Sequence, residues 1–204
     1  MHFWEQHLKS FLSQYTKDFY WRASNFLSAQ EVEVLLSAAK SAEKKALLRP
    51  AAIGKGERKK KIKEIRSDKI YWVDDFTTDS GKIMQAVFLG LLEIVRKELY
   101  MPAKRFECHL TKYEVGDRYL LHRDRHSVKP GRLLTCVIYL SDCARGSGSL
   151  VLYDQDLKPV VIQPKAGSIV VFDSSLEHEV KEVKADRYSL TGWIRDDLHT
   201  GIRL

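Results

Sequence analysis

The sequence predicts an α+β fold that is mainly β, in which N-terminal helices support a jelly-roll barrel of short strands. Before Pro102, apolar residues recur at helical spacing. After Pro102, short runs rich in β-branched and aromatic residues alternate with turn signals, and no helical pattern separates them. Such a series of short strands is typical of a sandwich or a jelly-roll barrel.

Two helices are predicted before Pro102. The first follows a capping box at Ser28-Ala-Gln-Glu31, where a hydroxyl and a carboxylate satisfy amide groups at a helix start. Its apolar face is formed by Val32, Leu35, Leu36 and Ala39. The second opens at Ser80 and is expected to end at Pro102. Its apolar stripe consists of Ile83, Met84, Val87, Phe88, Leu91, Leu92, Val95 and Leu99.

Eight strands are predicted after Pro102, with glycine-containing turns between them. They are Arg105–Tyr113, Tyr119–Leu121, Leu133–Leu140, Leu150–Tyr153, Val160–Ile162, Ser168–Phe172, Glu177–Val183 and Tyr188–Ile194. The chain has 204 residues, a length typical of one domain, and no linker divides it. We therefore expect a single domain over 1–204, with a mainly helical part at 1–104 and a β core at 105–195.

The cysteine pattern and the lengths of the apolar runs predict the cellular compartment of the protein. Cys108, Cys136 and Cys143 form no CxxC pair, and the N-terminal segment lacks the apolar region of a signal peptide. No apolar run approaches the roughly 20 residues that span a bilayer. We expect a cytoplasmic protein with reduced thiols and no membrane association.

A basic run accounts for much of the net charge of +7. It extends over Gly54-Lys-Gly-Glu-Arg-Lys-Lys-Lys-Ile-Lys63. Such a run is usually a solvated loop, and the alternative is a loop that guides an acidic macromolecular partner. The overall charge also raises the possibility of a nucleic-acid-binding module.

A candidate metal site begins at His122-Arg-Asp124. Side chains two apart on a strand point to the same face, so both can face a barrel interior. His178, late in the β half, is the candidate third ligand. Two histidines and one carboxylate suit a non-haem Fe(II) site. The alternative is a solvated turn with a half-buried His122, and His126 is interpreted as a surface or loop residue.

A candidate anion site lies on the last predicted strand. Arg187, Ser189, Thr191 and Trp193 would share one face of it. An arginine that faces a barrel interior needs an anion, which a dicarboxylic co-substrate would supply through a bidentate contact. A structural ion pair with Asp186 or Glu182 is the alternative.

A second candidate for this site comes from another predicted strand. Alternation over Leu133–Leu140 puts Thr135, Val137 and Tyr139 on one face, and two of the three are polar. The alternative interpretation of Tyr139 is a core tyrosine whose hydroxyl is satisfied.

Four segments make the chain similar to a known family. Ile65-Arg-Ser-Asp-Lys-Ile-Tyr-Trp72 resembles an IRGDxIxW segment, and Thr135-Cys-Val-Ile-Tyr-Leu140 resembles a TCxxYLN strand. Gly146-Ser-Gly-Ser-Leu-Val-Leu-Tyr153 corresponds to GGxLxLY, and Arg187-Tyr-Ser-Leu-Thr-Gly-Trp193 resembles an RYxxTxW strand. These motifs resemble the 2-oxoglutarate/Fe(II) dioxygenases of the prolyl 4-hydroxylase superfamily, above all the hypoxia-inducible-factor type and its bacterial relatives.

The resemblance runs from about Phe26 to Arg195 and implies a double-stranded β-helix core. Three serines depart from its motifs: Ser67 and Ser147 replace glycines, and Ser141 replaces an asparagine. The two glycine replacements call the local turn geometry into question.

The resemblance implies a set of site residues and cofactors. His122, Asp124 and His178 would bind Fe(II), and Arg187 would bind the distal carboxylate of 2-oxoglutarate. The other residues implied to contact the co-substrate or line its pocket are Tyr139, Tyr113, Thr135, Thr191 and Trp193. The resemblance also implies dioxygen as the second co-substrate and ascorbate as a further cofactor.

The resemblance also implies a substrate. Arg66, Asp68 and Arg132 correspond to polar residues near the substrate entrance, and 53–72 would contain a substrate-covering loop. We expect hydroxylation of a proline in a protein, for instance a translation factor such as elongation factor Tu, with release of succinate and CO2. The alternatives are a same-fold dioxygenase acting on an amino acid, another side chain or a nucleobase, a non-enzymatic nucleic-acid-binding module, and a cupin-like Zn or Mn hydrolase.

Overall fold

Two antiparallel β-sheets face each other, and helices cover the outer face of the larger sheet. The computed structural model describes residues 2–51, 65–125 and 131–197. The predicted basic run at 54–63, most of the predicted substrate loop, and His126 lie outside these residues. None of the helices in the described ranges is long and apolar enough to cross a membrane.

Four helices are observed in the described ranges: α1 (His2–Glu5), α2 (Leu8–Asp18), α3 (Ala29–Lys44) and α4 (Asp79–Lys97). The two predicted ones, α3 and α4, form close to their predicted positions. The capping box before α3 is confirmed, because Ser28 accepts from Glu31 N and Glu31 accepts from Ser28 N.

The predicted ends of α4 were wrong by a few residues. Thr78 caps the helix, because its hydroxyl accepts from Gly81 N at 3.0 Å, so α4 begins before Ser80. It ends at Lys97 rather than at Pro102, because the chain turns through a left-handed conformation at Tyr100 (φ 53°).

The strands confirm the predicted fold, which is mainly β. They are β1 (Tyr20–Ala23), β2 (Arg49–Pro50), β3 (Lys69–Trp72), β4 (Arg105–Tyr113), β5 (Tyr119–His122), β6 (Arg132–Tyr139), β7 (Leu150–Tyr153), β8 (Pro159–Ile162), β9 (Ile169–Asp173), β10 (His178–Val180) and β11 (Arg187–Arg195). The larger sheet has the order β1-β9-β6-β11-β4-β3-β2, and the smaller one has the order β5-β10-β7-β8.

Alternation along the central strands separates two cores. On β6, Leu134, Cys136 and Ile138 join the core beneath the helices, whereas Val137 and Tyr139 join the core between the sheets. The same alternation on β4 and β11 directs polar side chains into the space between the sheets. The candidate site is built there.

Candidate metal and co-substrate site

Three side chains form a cluster suited to a metal ion at one end of the space between the sheets. His122, Asp124 and His178 each offer a ligand atom, and these atoms lie within 4.8 Å of one another. Asp124 Oδ1 is 3.8 Å from His122 Nε2, and Asp124 Oδ2 is 3.6 Å from His178 Nε2. The two histidines are Cα partners across β5 and β10. Asp124 lies beyond the end of β5, so a bend of the chain brings it there, rather than the strand alternation that was predicted.

Backbone carbonyls fix the orientation of both imidazoles. His122 Nδ1 lies 2.8 Å from Leu120 O, and His178 Nδ1 lies 3.0 Å from Leu176 O. A carbonyl only accepts, so each Nδ1 carries the proton and each Nε2 keeps its lone pair for a metal. Burial, and to a smaller extent His178, lowers the pKa of His122 to about 3, which keeps this imidazole neutral. The cluster therefore has the chemistry of a two-histidine, one-carboxylate iron site.

Asp124 is held in place by hydrogen bonds from two strands. Trp193 Nε1 and Thr135 Oγ1 donate to its Oδ2 at 2.9 and 2.8 Å. Burial alone would raise the pKa of Asp124, but the His178 imidazole and the Arg132 guanidinium hold it well below its usual range. The side chain is thus an oriented carboxylate, as metal binding requires.

Arg132, predicted to lie near the substrate entrance, is not among the lining residues of the cavity and packs on one of them. It is buried, its Cζ lies 3.4 Å above the Trp193 ring, and its Nη1 is 3.6 Å from Asp124 Oδ1. Its Nε and Nη2 donate to Glu107 Oε1 at 3.3 and 3.1 Å. Arg195 Nη1 donates to the same oxygen at 2.7 Å. Arg132 therefore supports Asp124 and Trp193.

We predict that Glu107→Gln lowers the free energy of unfolding by about 3 kcal/mol, because it removes the carboxylate that the buried Arg132 guanidinium donates to and one of the two carboxylates that Arg195 binds. Burial alone would raise the pKa of Glu107, but Arg132 and Arg195 outweigh it and lower that pKa. The contribution is therefore present at neutral pH and lost as pH falls through the depressed pKa, so the difference from wild type should shrink in acid. Urea denaturation at several pH values measures it.

Glu93→Gln is the matched control, since it removes a carboxylate from the exposed pair with Lys97. It should change stability by less than about 0.5 kcal/mol. Equal effects of the two substitutions would contradict the role given to Glu107.

A stack of side chains forms one wall beside the metal cluster. The Tyr119 ring lies parallel to His122, with centroids 3.5 Å apart. Arg66 Cζ lies 4.3 Å from the Tyr119 centroid, and Arg66 binds the buried Asp68 through two hydrogen bonds of 2.8 and 2.6 Å. The Asp68 contact fixes the guanidinium, and the guanidinium fixes the tyrosine that stacks on His122.

An unpaired arginine marks the other end of the cavity. Arg187 is 2% exposed, and within the described ranges it forms no ion pair. Asp186, the proposed structural partner, instead binds Lys112 at 3.0 Å. Arg187 Nε, Tyr139 Oη and Ser189 Oγ are buried without a hydrogen-bond partner. Three orphaned polar groups next to a buried positive charge favour the binding of a carboxylate.

Aromatic rings and a close backbone approach hold Arg187 in place. Its Cζ is 4.9 Å from the Tyr113 ring centroid and 5.1 Å from that of Tyr139. A Cβ at Gly148, whose φ is +59°, would lie 2.9 Å from Arg187 Cδ. A larger residue there would be strained and would displace the guanidinium.

Ten of the twelve predicted site residues line one cavity. They are Arg66, Asp68, Tyr113, His122, Asp124, Thr135, His178, Arg187, Thr191 and Trp193. Tyr139 and Arg132 are buried next to lining residues, Arg187 and Trp193 respectively.

The sequence-based interpretation missed His109 and Tyr119, which also line the cavity. His109 lies on the same face of β4 as Tyr113, because the two are an even number of residues apart. The strand pattern could therefore have indicated it. Tyr119 lies three residues before His122, at the other end of β5.

The serines that depart from the motifs fit their positions. Ser67 and Ser147 do not have positive φ values, and each hydroxyl accepts from a backbone amide, of Arg118 and of Lys184 respectively. Ser141 Oγ accepts from Tyr188 N at 2.9 Å. The expected disturbance of turn geometry is therefore absent at these residues.

Comparisons with known proteins point to one family. The model of the 2OG-Fe(II) oxygenase superfamily matches residues 108–195, which include the metal cluster and Arg187. A hypoxia-inducible factor prolyl hydroxylase of Caenorhabditis elegans is 30% identical over 190 residues, which cover 84% of this chain and 26% of that protein. The chain thus spans about a quarter of the length of this relative.

Two solved structures are similar over most of the chain. The crystal structure of a Pseudomonas putida prolyl-4-hydroxylase has a TM-score of 0.83 and 27% identity, and the match covers 94% of this chain and 100% of that one. A Trichoplax adhaerens prolyl hydroxylase, in complex with a peptide of the hypoxia-inducible factor oxygen degradation domain, has a TM-score of 0.80 and 25% identity. That match covers 94% of this chain and 90% of the other.

Proposed function

The chain belongs to the 2-oxoglutarate/Fe(II)-dependent dioxygenases of the prolyl hydroxylase type, and on that premise we propose that it hydroxylates a proline residue in a protein substrate. One observation carries the proposal: a single cavity contains both the His-Asp-His cluster and the unpaired Arg187. One molecule of 2-oxoglutarate would bind the metal at one end and Arg187 at the other, so it would engage both features of the cavity.

The residues fit the cofactors of the family, Fe(II), 2-oxoglutarate and dioxygen. When bound, these supply the oxidant that converts a C–H bond to C–OH, with release of succinate and CO2. His122, Asp124 and His178 would hold the metal and leave one side open to the cavity. Arg187 would bind the distal carboxylate through its fork, and the orphaned Tyr139 hydroxyl would donate to the same group.

Other residues would shape the pocket around these groups. Tyr113, Thr135, Thr191 and Trp193 line the cavity and are proposed to contact the co-substrate or its surroundings. Phe172 packs edge-on against His178, with centroids 4.8 Å apart. Apolar walls of this kind exclude water, which protects the reacting groups from side reactions. Ascorbate is proposed as a reductant that restores the ferrous state.

The substrate would enter past Arg66 and Asp68, which line the cavity beside Tyr119. The relatives described above are prolyl hydroxylases by name, which supports a prolyl residue as the target. Elongation factor Tu, which the family resemblance suggested, is the first candidate substrate to test. We further propose a cytoplasmic location, since the three cysteines are free.

We expect the purified protein, supplied with Fe(II) and 2-oxoglutarate, to add one oxygen atom to a proline in elongation factor Tu or another protein of a host-cell extract. Peptide mass spectrometry identifies the residue, and succinate release gives the stoichiometry. The control omits 2-oxoglutarate. Succinate formation coupled to oxidation of an amino acid, another side chain or a nucleobase, with all prolines unmodified, would contradict the proposed substrate. Activity that needs no 2-oxoglutarate would contradict the dioxygenase chemistry.

A further inference from the structure

A buried histidine outside the metal cluster faces the same cavity. His109 is 3% exposed and lines the cavity together with Thr111. Its Cα partners are Trp72 on β3 and Thr191 on β11. The imidazole packs against two indole rings, with centroids 4.9 Å from Trp72 and 5.2 Å from Trp193. The aromatic neighbours fix the plane of the imidazole.

His109 does not belong to the metal cluster. In the described part of the chain, the group of ligand atoms within 4.8 Å of one another consists of His122, Asp124 and His178. The ring is nevertheless adjacent to that cluster, because it packs on Trp193, which donates to Asp124. His109 therefore lines the cavity beside a residue that supports the cluster.

The Thr111 hydroxyl determines which nitrogen of His109 carries the proton. Thr111 Oγ1 lies 2.8 Å from His109 Nδ1, and Thr111 is 3% exposed. Nδ1 is the sole hydrogen-bond partner of this hydroxyl among the described residues. With the Thr111 hydroxyl assigned as the donor, Nδ1 is the acceptor. The neutral ring then carries its proton on Nε2.

The ring is kept neutral by its surroundings. Burial, with the positive charges of Arg66 and Arg132, holds the pKa of His109 well below its usual range. Nε2 forms no hydrogen bond with a described residue, and the His109 side chain lines the cavity. His109 therefore presents one N–H donor to the cavity.

From this geometry, and resting on the proposed function, we infer that His109 is a specificity-determining residue that donates from Nε2 to a carbonyl oxygen of the peptide at the target proline. A prolyl residue has no backbone N–H, so the main chain around its ring offers carbonyl oxygens for recognition. A neutral donor suits a carbonyl oxygen, and it holds the pyrrolidine ring in one orientation toward the metal.

The test uses the full chain loaded with Fe(II) and 2-oxoglutarate. The probe is a degenerate library of short peptides, each with one proline between randomised positions, together with the protein substrate found in a host-cell extract. His109→Leu keeps bulk and removes the donor, and His109→Gln restores an amide N–H. His7→Leu is the matched control, since His7 is a half-buried histidine that packs on Trp21 and Phe26.

We expect His109→Leu to raise the KM for the prolyl substrate about tenfold, the scale of one hydrogen bond. It should also raise the ratio of succinate to hydroxyproline, because the C–H bond is less well oriented. His109→Gln should recover most of the KM, and His7→Leu should leave it unchanged. The 2-oxoglutarate Kd and the visible absorption band of the Fe(II)–2-oxoglutarate complex should match wild type in both His109 variants.

Three results would overturn the inference while leaving the proposed function intact. They are an unchanged KM in His109→Leu, an equal loss in His109→Gln, and a rise in the 2-oxoglutarate Kd that would make His109 a co-substrate contact. Absence of hydroxyproline with the wild-type protein, in both the library and the extract, would instead overturn the proposed function, and the inference with it.

Discussion

Replacing His122 with alanine is expected to abolish iron-dependent turnover of 2-oxoglutarate. The ring centroids of His122 and His178 are 4.1 Å apart, and the Asp124 carboxylate lies 3.8 and 3.6 Å from their Nε2 atoms. Without His122, two ligands from different chain segments remain, and they cannot hold the metal with one defined open side. We expect succinate release to fall by more than a hundredfold, beyond the roughly 10- to 100-fold that loss of an outer hydrogen bond to a ligand costs.

The affinity for Fe(II), measured by competition with a chromogenic chelator, should fall in parallel. Arg123→Ala is the matched control, because Arg123 is the next residue and is half exposed, and its ion pair is with Glu177 at 3.2 Å. The control should keep wild-type iron affinity. Iron-dependent succinate release at the wild-type rate in His122→Ala would show that His122 is not a ligand.

Replacing Arg187 with lysine is expected to weaken 2-oxoglutarate binding by tenfold to a hundredfold, on the order of one charge-assisted hydrogen-bond pair. Lysine keeps the positive charge but loses the planar fork that binds a carboxylate through two parallel bonds. It also loses the guanidinium plane that packs against Tyr113 and Tyr139. The 2-oxoglutarate Kd, measured by calorimetry with Fe(II) or Mn(II) bound, reports the change.

The metal affinity of Arg187→Lys should stay at the wild-type value, which separates this variant from His122→Ala. Arg123→Lys makes the same chemical change at an exposed arginine and should leave the 2-oxoglutarate Kd unaltered. If Arg187→Lys binds 2-oxoglutarate as tightly as wild type, then the orphaned polar groups serve a different anion.

Much of the β architecture could be predicted because alternation is a local property. The faces of β6 and β11 follow from period two alone, and eight of the observed strands were predicted, with small differences at their ends. Three strands, β1, β2 and β3, were not predicted, because they are four, two and four residues long and pairing with other strands stabilises them. The ends of α4 differed from the prediction for two reasons. Thr78 caps its start, and the left-handed turn at Tyr100 follows its end before Pro102 is reached.

Site residues could be predicted where the chemistry of the side chain itself indicates a role. They were harder to predict where the role depends on contacts with residues distant in sequence. A histidine pair with an aspartate and an inward arginine can be identified from spacing and motifs. The position of Arg132 depends on Glu107, which also binds Arg195 of another strand, so these contacts could not be inferred from sequence. His109 was missed because its role depends on Thr111 and on indole rings of β3 and β11.

The pairing of His122 with His178 links metal binding to the integrity of the fold. β5 is the edge strand of the smaller sheet, and β10 is its neighbour there. An ion held by ligands from β5, the bend after it and β10 acts as a crosslink between segments far apart in sequence. Binding to the folded chain alone shifts the folding equilibrium by mass action. The concentration of available ferrous iron therefore determines the stability of this sheet edge, as well as the fraction of the protein that is catalytically competent.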